Sequence, residues 1–222
     1  MTPQKMGGIA ALIGAATNLL GVGVYVTLLS PKGLGSTDSD PGKTVALLVD
    51  NQVAMRAFYQ IIFLAFGVSL IFLAVALYER LKVGSAVLAQ AATIFTLIWA
   101  ALVIVVGTLS IHDLSTVVKL HGENPAQAAT VWLALDSVET GLGAGGGETI
   151  VSALWFLLLS WAALRARALP RRLIYLGVVT GVAGILSVLA LTDLTGVYAL
   201  GLIIWFVWLG IVMLRRSPVS AA

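Results

Sequence analysis

The chain has 222 residues, of which 59% are hydrophobic and only 10% charged, with a formal net charge of +3 and a mean hydropathy of +1.03. Soluble domains carry about 25% charged residues, so the composition excludes that class and indicates a multi-pass helical membrane protein forming one domain over 1–222. The basic residues sit where apolar runs end, which argues against a nucleic-acid partner, and the absence of cysteine excludes disulfides, thiolate metal sites and cysteine nucleophiles.

Span one is expected over 7–29, behind Lys5. It exceeds the roughly 7–15 apolar residues of a signal-peptide core, so it reads as an uncleaved membrane helix. Gly7, Ala11, Gly14, Asn18 and Gly21 recur in it at 4-3-4-3 spacing. Such a stripe faces other helices, with Gly14 and Gly21 allowing close approach and Asn18 hydrogen-bonding across the interface.

The stretch SPKGLGSTDSDPGK (30–43) reads as loop, and TVALLVDN after it as a short helix on the membrane surface. Span two is expected over 57–78. Arg56 stands roughly 35 Å from Glu79 along a helix, at the rim of the span. Tyr59 and Gln60, at i+3 and i+4, share its face.

Span three is expected over 86–110, with Gln90 and Thr93 on one helix-bonding face. HDLSTVVKLHGENPAQ (112–127) reads as a connection. AATVWLALDSVET (128–140) reads as a second interfacial helix, with Trp132 at headgroup depth.

The next stretch, GLGAGGGE (141–148), contains G-x-G-x-x-G at Gly141, Gly143 and Gly146. A dinucleotide site needs a preceding strand, and a helical pattern precedes it here, so that reading is discarded. Gly141 and Gly145 stand four apart, as do Gly143 and Gly147, a spacing that lets helices pack closely in lipid. Consecutive glycines favour a kink or break as well.

Glu148 lies about 25 Å from Arg165 along a helix, at the outer rim of the hydrocarbon core. A charge there needs a partner. Arg56 is the expected one, with Tyr59 or Gln60 meeting the remaining hydrogen-bonding capacity. In the alternative, Arg56 reaches alone to headgroups and Glu148 alone favours a helix start.

Spans four, five and six are expected over 149–164, 173–191 and 197–214, with tight turns near Leu81 and Pro170. Lys5, Arg80, Lys82, Arg165, Arg167, Arg171, Arg172, Arg215 and Arg216 fall at one end of this six-span layout; Lys32, Lys43, Arg56 and Lys119 fall at the other. The positive-inside rule then sets both termini in the cytoplasm. Every acidic residue except Glu79 falls on the outer half.

His112, Asp113, His121, Asp136, Glu139 and Glu148 are outer-side residues of metal-ligating type. Asp136 and Glu139, at i and i+3, share one helix face, with His112 as the imidazole candidate. His112 and His121, nine apart, point in opposite directions on a helix, and no H-E-x-x-H or E-x-x-H occurs. No metal site and no cofactor is expected. The tryptophans in apolar segments read as packing, and bound lipid is the one small-molecule guest anticipated.

QVAMRAFYQIIF, which brings an arginine into span two, and ALPRRLIYLGVVTGVAGIL, a tight turn into a glycine-rich span, carry a resemblance. The chain resembles a bacterial family of six-helix membrane proteins of the DUF4386 type, a domain of unknown function. The resemblance covers nearly the whole chain. It implies an all-α, six-helix fold in the cytoplasmic membrane and carries no catalytic residue over.

Three functional readings follow. The first is a non-catalytic accessory or scaffold subunit, with membrane lipids and other membrane subunits as partners. The second is a binding protein or carrier for a small or lipid-like ligand, with its outer-face site at Arg56, Tyr59, Gln60 and Glu148. The third is a membrane enzyme with an outer metal site.

Overall fold

The computed structural model describes residues 2–29, 40–189 and 193–215. Among them the chain is helical throughout, without strands, and six helical segments are long and apolar enough to cross a membrane. This fits a multi-pass membrane protein. Most of the loop expected over 30–43, together with Lys32 and Arg216, lies outside the described residues.

Helix α1 (Pro3–Val24) starts at Thr2, whose side chain accepts from the Lys5 N–H, and ends in a wider π-helical turn over Tyr25–Leu29. Helix α2 (Pro41–Asp50) is capped by Asp40. Span two is continuous through α3 (Gln52–Tyr59), a π-helical turn (Gln60–Leu64) and α4 (Ala65–Leu81). Four residues then lead to α5 (Ala86–Glu123), capped by the Ser85 hydroxyl. Helices α6 (Pro125–Leu142), α7 (Gly147–Ala166), α8 (Arg171–Val188) and α9 (Thr195–Arg215) complete the chain.

The largest departure from expectation is α5. At 38 residues it is about 57 Å long, far more than a hydrocarbon core of about 30 Å requires. Most of 112–127, expected as a connection, is therefore its last three turns. Val117 and Leu114 make this extension possible, because both are buried by neighbouring helices. Asn124 breaks it: its side chain caps α6, and Pro125 occupies the first turn, where its missing N–H is harmless.

The six long segments form a closed ring in chain order. Each packs on its sequence neighbours, and α1 closes the ring by packing on both α4 and α9. Apolar lipid supplies no hydrophobic drive for this association, so close packing must. Gly14 is one device: a Cβ there would stand 2.8 Å from the Phe206 ring. The centre is filled by Phe66, Trp99, Trp155, Phe156, Trp205 and Phe206, with edge-to-face contacts such as Phe156 on Trp205 at 5.1 Å and 90°.

Alternating direction around the ring gathers Lys5, Arg80, Lys82, Arg165, Arg167, Arg171, Arg172 and Arg215 at one end, termed the basic end below. At the opposite end α2 and α6, the two short helices expected in the outer segments, pack on the projecting part of α5. Val45, Val117 and Ala128 form one small core there; Leu48, Met55 and Leu114 form a second, and Trp132 packs against both.

Candidate functional site

Arg56 and Glu148 do not pair. The Arg56 guanidinium donates from Nη2 to Ser115 Oγ at 2.7 Å, on the projecting part of α5. Glu148 turns into the bundle, where its Oε1 accepts from Trp99 Nε1 at 3.1 Å. The sequence put both residues at one rim. Ser115 and Trp99, the partners they reach, stand 16 residues apart on α5, about 24 Å along its axis, so the two differ in height as well as in the direction each side chain faces. Among the described residues the ion pair formed is Lys82–Glu79, at 2.7 Å.

Tyr59 also leaves Arg56. It packs against Phe58 and Phe63 and beside the Leu48–Met55–Leu114 core, near Glu139 and Asp136 of α6. Gln60 stays with Arg56, and the two line a shallow pocket of about 330 Å³ together with Gln52, Val53 and Ala57. Gln52, Arg56 and Gln60 follow at i, i+4 and i+8 and form one polar ladder down span two.

Below that pocket lies a larger groove of about 630 Å³ on the outer surface of the bundle between α1 and span two. Its walls are Ile9 and Ile13 on one side and Ile61, Leu64, Val68 and Phe72 on the other. Ala10 and Ala65 contribute only methyl groups, which leaves the space open. Gln60 lines both the pocket and the groove, so the two adjoin at that residue. Apart from Gln60, the one side chain with a polar oxygen or nitrogen lining the groove is Ser69, and its hydroxyl is bound to the Phe66 carbonyl at 2.7 Å. The π-helical turn begins at Gln60. Such turns insert an extra residue into the helix and recur at functional sites. A third pocket of about 160 Å³, lined partly by Gln60, Leu64 and Gly107, lies on the α5 side of the same turn.

A separate polar column runs inside the ring. Glu148, Ser152 and Trp155 follow at i, i+4 and i+7 along α7. Ser152 Oγ and Tyr198 Oη are 2.5 Å apart, and Trp205 Nε1 donates to the Leu173 carbonyl at 3.1 Å. Trp155 Nε1 is buried without a hydrogen-bond partner among the described residues.

The glycine and amide expectations need correction. A Cβ on Gly141 would meet nothing within 4 Å, so that residue supports no close packing. Gly145 is in a turn with φ +104°, and its N–H donates to Thr149 Oγ1 at 2.9 Å. The run is thus a break between α6 and α7, which continue in one direction along α5, as the contacts Ser110–Glu139 and Trp99–Glu148 on either side of it show. Asn18 bonds within its own helix, to the Gly14 carbonyl at 2.8 Å. Gly14 is packed tightly, as expected, whereas a Cβ on Gly21 would only touch Ile62 at 3.7 Å.

Residues 6–216 match the family model described as "Domain of unknown function (DUF4386)". The chain belongs to the DUF4386 family. No curated protein and no solved structure matches it.

Within this DUF4386 chain, Glu139 Oε2 accepts from Ser110 Oγ at 2.6 Å, and its carboxyl lies beside Asp113. Among the described residues, no three His, Cys, Asp or Glu side chains converge to hold a metal ion, and His112, Asp136 and Glu139 are not brought together as such a group. Sequence reasoning missed Ser115, Trp99, Ser152 and Tyr198. The i, i+4, i+7 spacing of Glu148, Ser152 and Trp155 was the available signal for an inward polar face. Nothing in the sequence marked Ser115, because its partner comes from another helix.

Proposed function

We propose that this protein binds a membrane lipid in the lateral groove between α1 and span two, as a lipid-binding protein or carrier. The observation that supports this most is that a long apolar groove and a polar pocket lined by Arg56 adjoin at Gln60. An acyl chain fits the first and a headgroup the second. A volume of about 630 Å³ lies within the usual range of ligand pockets. From Gln60 to Phe72 the groove runs about 18 Å along the helix axis. Taking the basic end as cytoplasmic under the positive-inside rule, the headgroup pocket lies in the outer leaflet of a bacterial cytoplasmic membrane.

This reading is preferred to an accessory subunit for a physical reason. Gly14, the tightly packed member of the small-residue stripe, is used within the chain, where a Cβ would meet Phe206, and so does not call for a second protein.

The test is native mass spectrometry of the protein released from membranes in mild detergent. The wild type should carry lipid. Val68→Trp, a surface change at the groove wall, should lower lipid occupancy severalfold while leaving thermal unfolding unchanged. Equal occupancy in the variant and the wild type overturns the reading.

A further inference from the structure

We infer that the pocket selects an acidic phospholipid by its phosphate, with Arg56 as the specificity-determining residue; this rests on the lipid-binding reading. The pocket is lined by Gln52, Val53, Arg56, Ala57 and Gln60, so it holds one positive charge, two amides and no carboxylate. Arg56 is exposed and makes no ion pair among the described residues. A guanidinium carries five N–H donors in a fixed fork. The 2.7 Å bond to Ser115 uses one and fixes the side chain, which leaves the others for an acceptor in the pocket. Flanking amides at i−4 and i+4 add donors along the same face. Planar, multidentate donation of this kind matches phosphate oxygens.

Height points to a lipid as the source of that phosphate. Arg56 is 25 residues from Leu81 at the basic end, about 37 Å along a helix, and Gln60 about 31 Å. With a hydrocarbon core of about 30 Å, Gln60 sits at the boundary and Arg56 in the headgroup layer. A phospholipid whose chain enters the groove has its phosphate at the level of this ladder. Net charge then decides between lipids: a zwitterionic headgroup brings its own cation next to Arg56, and an acidic one does not. One basic side chain near the surface is worth about a fivefold preference for acidic lipid.

The experiment uses the full chain in nanodiscs made from equal amounts of phosphatidylglycerol and phosphatidylethanolamine with identical acyl chains, followed by native mass spectrometry. The wild type should retain phosphatidylglycerol in about fivefold excess. Arg56→Gln should keep total lipid and bring that ratio to one, and inorganic phosphate should displace nothing from the wild type. Retained lipid without preference, or a preference that survives in Arg56→Gln, overturns the headgroup assignment while leaving the groove reading intact. Displacement by inorganic phosphate overturns the lipid source. Full lipid occupancy in Val68→Trp overturns the groove reading itself, whatever Arg56 does.

Discussion

Trp99 and Glu148, 49 positions apart in the chain, are joined by a 3.1 Å hydrogen bond from the indole Nε1 to the carboxylate Oε1. The bond ties the middle of α5 to the first turn of α7, and Trp99 is fully buried. Glu148 has no cation within ion-pair distance among the described residues. The indole N–H and the α7 N-terminus are therefore the favourable electrostatics it finds. Trp99→Phe keeps most of the ring packing and removes the donor. It should destabilise the protein by about 1–3 kcal/mol, the usual effect of leaving a buried polar group unmatched. Glu148→Gln retains an acceptor oxygen and should change stability by less than about 1 kcal/mol. Denaturant titration of the detergent-solubilised protein measures both; equal losses would show that the bond carries no weight.

Two glycines four residues apart should respond in opposite directions. Gly141 lies in α6 with open space where a Cβ would go, so Gly141→Ala should stabilise by roughly 0.5–1 kcal/mol through the lower entropy of the unfolded chain. Gly145 has φ +104°, a conformation in which a Cβ clashes with the backbone, so Gly145→Ala should destabilise by about 1–2 kcal/mol. Their spacing alone suggested one shared packing role. Thermal unfolding of the two variants separates a break from a packing motif, because a packing motif would lose stability at both positions.

How far the sequence carries follows from what each part of the fold depends on. Span number and approximate limits depend on the length of apolar runs, a local property, and all six were legible. The shared rim expected for Arg56 and Glu148 was not legible: rise along one helix is fixed, but the offset between helices is not, and their partners Ser115 and Trp99 stand 16 residues apart on α5. The direction each side chain faces around a six-membered ring depends on helix rotation, which here is set by packing such as Gly14 against Phe206 and Gly67 against Ile104. Local pattern encodes neither that rotation nor the offset between helices, so the expected ion pair failed. The extension of α5 was hidden for a related reason. HDLSTVVKL reads as polar until α2 and α6 are brought in to bury Leu114 and Val117.

That outer assembly is a unit separable from the ring. Val45, Val117 and Ala128 touch one another and not the aromatic centre. Val117→Ala should create a small cavity between α2, α5 and α6 and weaken their contact by about 1–2 kcal/mol. The loss should appear as faster amide hydrogen exchange in Pro41–Asp50 and Pro125–Leu142, with exchange in the central parts of α7 and α9 unchanged. Uniformly faster exchange would show a single cooperative body instead.

Trp155 and Trp205 offer a comparison in which most terms cancel. Both are buried, at 0% and 1% exposure, and their rings meet at 5.4 Å and 77°. Replacing either by Phe removes the same indole volume from the same aromatic centre, so the packing loss is similar. Their N–H groups differ. Trp205 donates to the Leu173 carbonyl, linking α9 to α8, whereas Trp155 Nε1 has no partner among the described residues. Trp205→Phe forfeits a hydrogen bond and leaves a carbonyl less well satisfied, while Trp155→Phe relieves an unmatched buried donor. Trp205→Phe should therefore be the more damaging of the two by about 1–3 kcal/mol. Denaturation midpoints compared at equal transition slope give that difference. Equal losses would indicate that a buried water satisfies Trp155, since a water-bridged N–H is nearly as well bonded as a direct one.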